Sequence, residues 1–248
     1  MSSVEHAPSR ALLEVAVVHA RDVAGADAGG ADRLWLIQRE GDQWLSPEPA
    51  TASSACKETD LPVRVMLRLN DGHTTNGGEL ARLVGLGEDY LSVGAAGLAF
   101  GFLDMNTEVD VEVCGYLVDR LPEVPWTFHG GFDDALDTDL AWRRVRELPG
   151  LDAVLSAGDP RGLAAGADRL IATAASDPTV ARLLMAGNGL RPEQVPWLTR
   201  AGVRQFHVGA SARMDRSWTK AYVDAGLVRA WRLLLDDALD RALGNPTA

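Results

Sequence analysis

Lysine is nearly missing from this chain. Only Lys57 and Lys220 occur, and the other basic residues are all arginines. Neither lysine follows an apolar run that reads as a strand, which argues against Schiff-base aldolase chemistry. Cysteine is equally sparse: Cys56 and Cys114 form no CxxC pair and fall in segments with helical character. Two scattered thiols point to a reducing compartment rather than to a disulfide framework. No apolar stretch approaches the ~18 residues of a membrane span, and the opening MSSVEHAPSRA lacks the apolar core of a secretory leader. Positive charge is also in deficit, with a net charge of −11, so neither nucleic acid nor an acidic membrane is an expected partner. A cytoplasmic protein is the expectation. No HxH pair lies on the first apolar run, which removes the commonest signature of metal-dependent barrel hydrolases, and no GxGxxG follows it.

What is present is an alternation. Short apolar runs at 12–18, 32–37, 63–67, 98–103, 126–129, 153–156, 182–186 and 205–208 read as buried strands. Helical segments are expected at roughly 20–29, 50–59, 77–93, 110–121, 137–147, 162–175, 191–201 and 219–243. The last is the clearest, with Val228, Trp231, Leu234, Leu235, Ala238, Leu239 and Ala242 recurring at helical spacing. Asp110 and the Arg191-Pro192-Glu193-Gln194 string supply start signals. Eight such units imply right-handed crossovers and a parallel sheet. A single α/β domain, a closed (β/α)₈ barrel over residues 12–248, is favoured over an open doubly wound sheet, with residues 1–11 as a disordered tail.

Four of the five histidines, His19, His73, His129 and His207, stand at or just beyond strand ends. A barrel gathers those ends at one mouth, where the chemistry of this fold occurs. Strand alternation then sorts the side chains. Thr127 and His129 share one face, as do Gln205 and His207; Arg64, Met66 and Arg68; Arg33, Trp35 and Ile37; and Glu14 and Ala16. By that parity His19 falls opposite Glu14 and Ala16. An inward Glu14 needs a cation, Arg33 or Arg64, and a structural ion pair is the expected role. Arg68 could hold an anion bidentately. His129 is followed by Gly130-Gly131-Phe132-Asp133, a turn that can bring a carboxylate to an imidazole for orientation, proton relay or metal support. Asp133 can equally cap the next helix. Late glycine-containing loops, Ser156–Asp159, Gly187–Gly189 and Gly209–Ser211, offer backbone donors to a phosphate or simply make tight turns.

Several strings are familiar together. LLEVAVVHARDVAGADAGGADRLWL resembles the opening of the CutC copper-homeostasis family, where the pattern runs LEVCVDS and then GGADRIELC. Val65-Met66-Leu67-Arg68 resembles that family's VMIRPR. Residues 97–103, Thr127-Phe128-His129 with Phe132-Asp133, Leu155-Ser156-Ala157-Gly158, Met185-Ala186-Gly187 with Gly189, and Gln205-Phe206-His207 followed by Ser211-Ala212 match later blocks in order. The resemblance spans about residues 12–213 and implies a (β/α)₈ barrel associated with copper homeostasis. The departures fall at the family's copper-linked positions: its cysteines are replaced by Ala16 and Ile37, and a glutamate by Trp35. RPRGGDF becomes Arg68-Leu69-Asn70-Asp71-Gly72-His73, and TFHRAFD loses its arginine to Gly130. Arg33, Arg68, His129, Asp133 and His207 remain as the ligand-binding set. The usual soft thiolate site for Cu(I) is therefore absent.

Two mechanisms stay open. A metal-binding protein would hold copper or another divalent metal through His129 and His207. An enzyme would bind a small carboxylate- or phosphate-bearing metabolite through Arg68 and the late loops, with His129, His207 or Asp133 in catalysis. The partner is a small molecule or a metal ion, and a homo-oligomer is compatible with either.

Overall fold

A computed structural model describes residues 10–41, 43–121 and 124–244. Most of the expected tail thus lies outside the described residues. Arg10 and Ala11, assigned to it, are instead in place: Ala11 is buried, and Arg10 pairs with Asp32 at 3.1 Å.

Eight parallel strands close into a ring: β1 (Leu12–Val17), β2 (Arg33–Leu36), β5 (Val63–Met66), β6 (Gly97–Phe100), β7 (Trp126–Phe128), β8 (Leu151–Ser156), β9 (Leu184–Ala186) and β10 (Gln205–Val208). β1 pairs with β2 on one side and with β10 on the other, so no edge is left and an open sheet is ruled out. Between them run α1 (Ala20–Gly29), α2 (Pro49–Lys57), α3 (Gly77–Ser92), α4 (Val111–Arg120), α5 (Thr138–Val145), α6 (Leu163–Ser176), α7 (Pro178–Leu183), α8 (Val195–Arg200) and α9 (Ala225–Leu243). None of these helices is long and apolar enough to cross a membrane. The fold is a (β/α)₈ barrel.

Local chemistry sets the helix ends. Asn76, Asp110, Asp137, Asp177 and Asp224 each accept hydrogen bonds from backbone N–H groups of the first turn that follows. α1 stops where Gly30 takes φ 91°. Side-chain alternation divides the apolar residues into two cores. Leu13, Val15, Leu34, Val65, Phe100, Phe128 and Phe206 pack outward against the helices. Trp35, Ile37, Met66, Ala99, Ala153, Leu155 and Met185 fill the barrel itself.

Three features differ from the sequence reading. A two-stranded antiparallel hairpin, β3 (Gln38–Glu40) and β4 (Gln43–Leu45), follows β2. The run expected as a strand from 182 is helical to Leu183, because Asp177 caps α7 and Pro178 opens it. The last helix begins at Ala225, not 219. Buried Arg213 holds the preceding segment by bonding Asp22 and the Ala221 carbonyl, and Asp224 then caps α9.

Candidate functional site

At the C-terminal ends of the barrel strands lies a cavity of about 190 Å³. Arg68, His73, His129 and His207 line it, with Trp35 from β2 and Trp44 from β4. Strand parity predicts Arg68, His129 and His207 at the mouth, and their side chains meet there. His19 does not join them: it precedes α1 and shares a separate surface cleft with Arg21 and Tyr222.

His207 is anchored from below. Its Nδ1 lies 2.9 Å from Glu14 Oε1, the residue directly across the β1–β10 ladder. Arg33 Nε donates to the other Glu14 oxygen at 2.5 Å. Burial alone would raise the Glu14 carboxyl, but the Arg33 charge and the His207 bond prevail and hold it down to about 2. Glu14 is therefore ionised, His207 Nδ1 carries the proton, and in the neutral ring Nε2 keeps its lone pair. That Nε2 is buried and has no hydrogen-bond partner among the described residues. Of the two candidate cations for Glu14, Arg33 is the partner; Arg64 bonds Asp152 and Thr127 instead. Arg33, one of the expected ligand-binding residues, thus sits beneath the mouth and does not line the cavity.

His129 is held the opposite way round. Its Nδ1 accepts from the Gly131 N–H at 3.0 Å, which assigns the ring proton to Nε2 in the neutral form. Burial first, and the Arg68 charge second, push its pKa well below the usual histidine value. His73 donates from Nε2 to Asp134 at 3.0 Å, leaving a buried Nδ1 without a partner. Its pKa is also lowered, by burial and then by Arg68. Arg68 is fixed by donating to the Asp71 carbonyl, and its buried Nε makes no bond. Trp35 presses edge-on against His207, ring centres 4.8 Å apart, and its Nε1 is likewise buried and unpartnered. On the other side, Gly131 lets His73 and His129 sit close, since a Cβ there would come within 2.5 Å of His73 Nδ1.

Asp133 departs from the expected role. Its carboxylate turns away from His129 and accepts from Ser156 Oγ at 2.5 Å, Ala157 N at 2.7 Å and Gly158 N at 3.1 Å. Burial nevertheless raises its pKa to about 6. The backbone donors of the first late loop are therefore already engaged by the chain's own anion and are not open to a phosphate. It is Asp134, which sequence reasoning passed over, that reaches the mouth.

The hairpin covers one side of the opening. Trp44 packs on Trp218 with ring centres 5.3 Å apart, and Arg39 lies over both rings. Copper fits this donor set poorly. Ala16 and Ile37 are buried and offer no ligand atom. Cys56 and Cys114 lie on α2 and α4, and burial pushes the Cys114 thiol up to about 12. Among the described residues no three His, Cys, Asp or Glu side chains are gathered as a metal site, and the Arg68 cation shares the cavity with the imidazoles.

Comparison with known proteins gives a consistent picture. The sequence model of the CutC family matches residues 11–212. A CutC family protein of Caulobacter vibrioides is 32% identical over 203 residues, covering 80% of this chain and 80% of that protein. One from Klebsiella pneumoniae is 28% identical, with 81% and 80% covered. The crystal structure of a Streptococcus agalactiae CutC protein, named for copper homeostasis, superposes with a TM-score of 0.71 at 22% identity, covering 80% of this chain and 98% of that one. A monomeric dihydrodipicolinate synthase variant shares the fold at 14% identity and a TM-score of 0.60, with 98% of this chain and 78% of that one covered.

Proposed function

This chain belongs to the CutC family, and from that premise we propose that its barrel binds, and acts on, a small metabolite bearing a carboxylate or phosphate. One observation carries the reading. Four buried polar atoms without partners among the described residues, Trp35 Nε1, Arg68 Nε, His73 Nδ1 and His207 Nε2, belong to residues that line a single cavity. Each unmet buried group costs about 1–3 kcal/mol, and a polar ligand would satisfy several together. The indole N–H and the guanidinium are donors suited to an anion. The two imidazole nitrogens are acceptors suited to a hydroxyl or to an acidic proton.

Copper homeostasis, the association of the family name, reaches this chain only through its relatives. With hydrophobic residues at both thiolate positions, copper handling would have to rest on His129 and His207. That pair is short of the ligand number a tight site requires. The enzyme-type reading therefore leads. The low thiol content favours a cytoplasmic setting.

The test is a binding titration of pyruvate and of inorganic phosphate, followed by thermal shift and by calorimetry, on wild type and Arg68→Ala. The expected result is millimolar or tighter binding of at least one anion, weakened about tenfold or more by the substitution. Binding unaffected by Arg68→Ala would overturn the assignment of the site.

A further inference from the structure

Accepting the anion site just described, two imidazoles in it, His207 and His129, are held with opposite chemical faces. His207 has its proton drawn to Nδ1 by Glu14, at 2.9 Å, so that a lone pair is left on a buried, unpartnered Nε2. His129 has Nδ1 occupied by the Gly131 N–H, at 3.0 Å, so that its remaining proton is on Nε2. Both rings line the same cavity as Arg68. One imidazole therefore accepts a proton where the other donates a hydrogen bond, beside a fixed cation. Two identical side chains become base and electrophile through the single atom each uses for support.

We propose that this mouth catalyses proton transfer at a carbon next to a carbonyl, on a small carbonyl compound that also carries a carboxylate or phosphate. His207 Nε2 is the base, His129 Nε2–H polarises the carbonyl, and Arg68 holds the anionic group. In the forward step a C–H bond breaks and its proton forms a bond to His207 Nε2. The C–H electron pair becomes the C=C bond of an enol(ate), and the carbonyl π pair moves onto oxygen, facing His129. Returning the proton to the same carbon, its other face or its neighbour regenerates His207. No electrons are gained or lost overall, so no oxidant, reductant or lysine is needed. The depressed basicity of His129, from burial and the Arg68 charge, keeps it neutral and so able to serve as a donor of this kind. The cavity, at about 190 Å³, is smaller than the roughly 300–1,000 Å³ of sites for drug-sized ligands. That restricts the substrate to a few carbons.

The experiment uses the full chain in D₂O with pyruvate and, separately, dihydroxyacetone phosphate, following C–H signals by proton NMR against a protein-free control. The expected result is loss of the C–H signal of at least one probe above background. In His207→Gln this rate should fall about 100-fold or more, with probe affinity changed only a few-fold. His129→Ala should slow exchange as well, acting on kcat more than on KM. Saturable binding without exchange would overturn the proton-transfer assignment while leaving the anion site standing. Absence of both binding and exchange would overturn the two together. Exchange that persists undiminished in His207→Gln would also reject the assignment. Should that variant melt early, the ¹⁵N shift of His207 Nε2 in wild type during titration with the bound probe decides instead, and an unmoved resonance speaks against His207.

Discussion

The buried residue with most at stake is Glu14. It is ionised inside the barrel because Arg33 and His207 each occupy one of its oxygens. Glu14→Gln would leave buried Arg33 with only the half-exposed Asp152 carboxylate, 4.0 Å away, as its counter-charge, and the expected loss is about 3 kcal/mol, measured by urea unfolding. The pH profile follows from the same group. With a carboxyl held at about 2 against an ordinary 4.5, its stabilisation is complete above 4.5 and drains away as pH falls toward 2. Asp133 acts in the reverse sense: raised from 3.8 to about 6, it favours the fold below 3.8 and loses that contribution as pH rises through 6. Urea midpoints between pH 3 and 7 should therefore show a declining component that Asp133→Asn abolishes; an unchanged slope in that variant would disprove it. Gly131→Ala would set a methyl 2.5 Å from His73 Nδ1 and 2.7 Å from His129 Cε1, so the histidine ¹⁵N shifts should move even where the protein still folds. At this scale, strand parity made Arg68, His129 and His207 legible, because alternation fixes direction along a strand. It could not separate Asp133 from Asp134. Both lie in the 3₁₀ turn Gly130–Asp134, where successive side chains step by a third of a turn and strand alternation no longer applies.

Among the elements, the β3–β4 hairpin gives the mouth its aromatic flank. Its attachment rests on Trp44 against Trp218, with Arg39 over both and Arg213 under Trp218. Such contacts contribute about 0.5–1.5 kcal/mol each, enough to suppress local opening by an order of magnitude. Trp218→Ala should accordingly raise the rate of tryptic cleavage after Arg39 about tenfold, read by mass spectrometry of timed digests. An unaltered rate would show that the hairpin is held by something else. The hairpin was not visible in the sequence. Each of its strands has three residues, too few to establish a period, and its polar Gln38-Arg39-Glu40 run looks like an ordinary loop. The long helices were legible for the contrary reason, since α9 repeats its apolar face over 19 residues.

For the molecule as a whole, eight strand–helix units without a GxGxxG favour the closed barrel over an open sheet, and β1 paired on both sides settles it by leaving no strand edge to cover. The two thiols are distributed over separate helices, α2 and α4. Cu(I) competition titration under anaerobic conditions should show binding much weaker than in a family member with both cysteines. Tight stoichiometric uptake that disappears in the Cys56→Ser/Cys114→Ser double variant would refute this.

Ring closure has a further consequence for biosynthesis. The last strand to leave the ribosome, β10, is the one that seals β1, and the sealing register sets Glu14 opposite His207. A nascent chain that ends before residue 205 has neither the seal nor His207. Closure of the ring and delivery of His207 to the mouth thus depend on the same strand, so the cavity cannot be complete before its walls are.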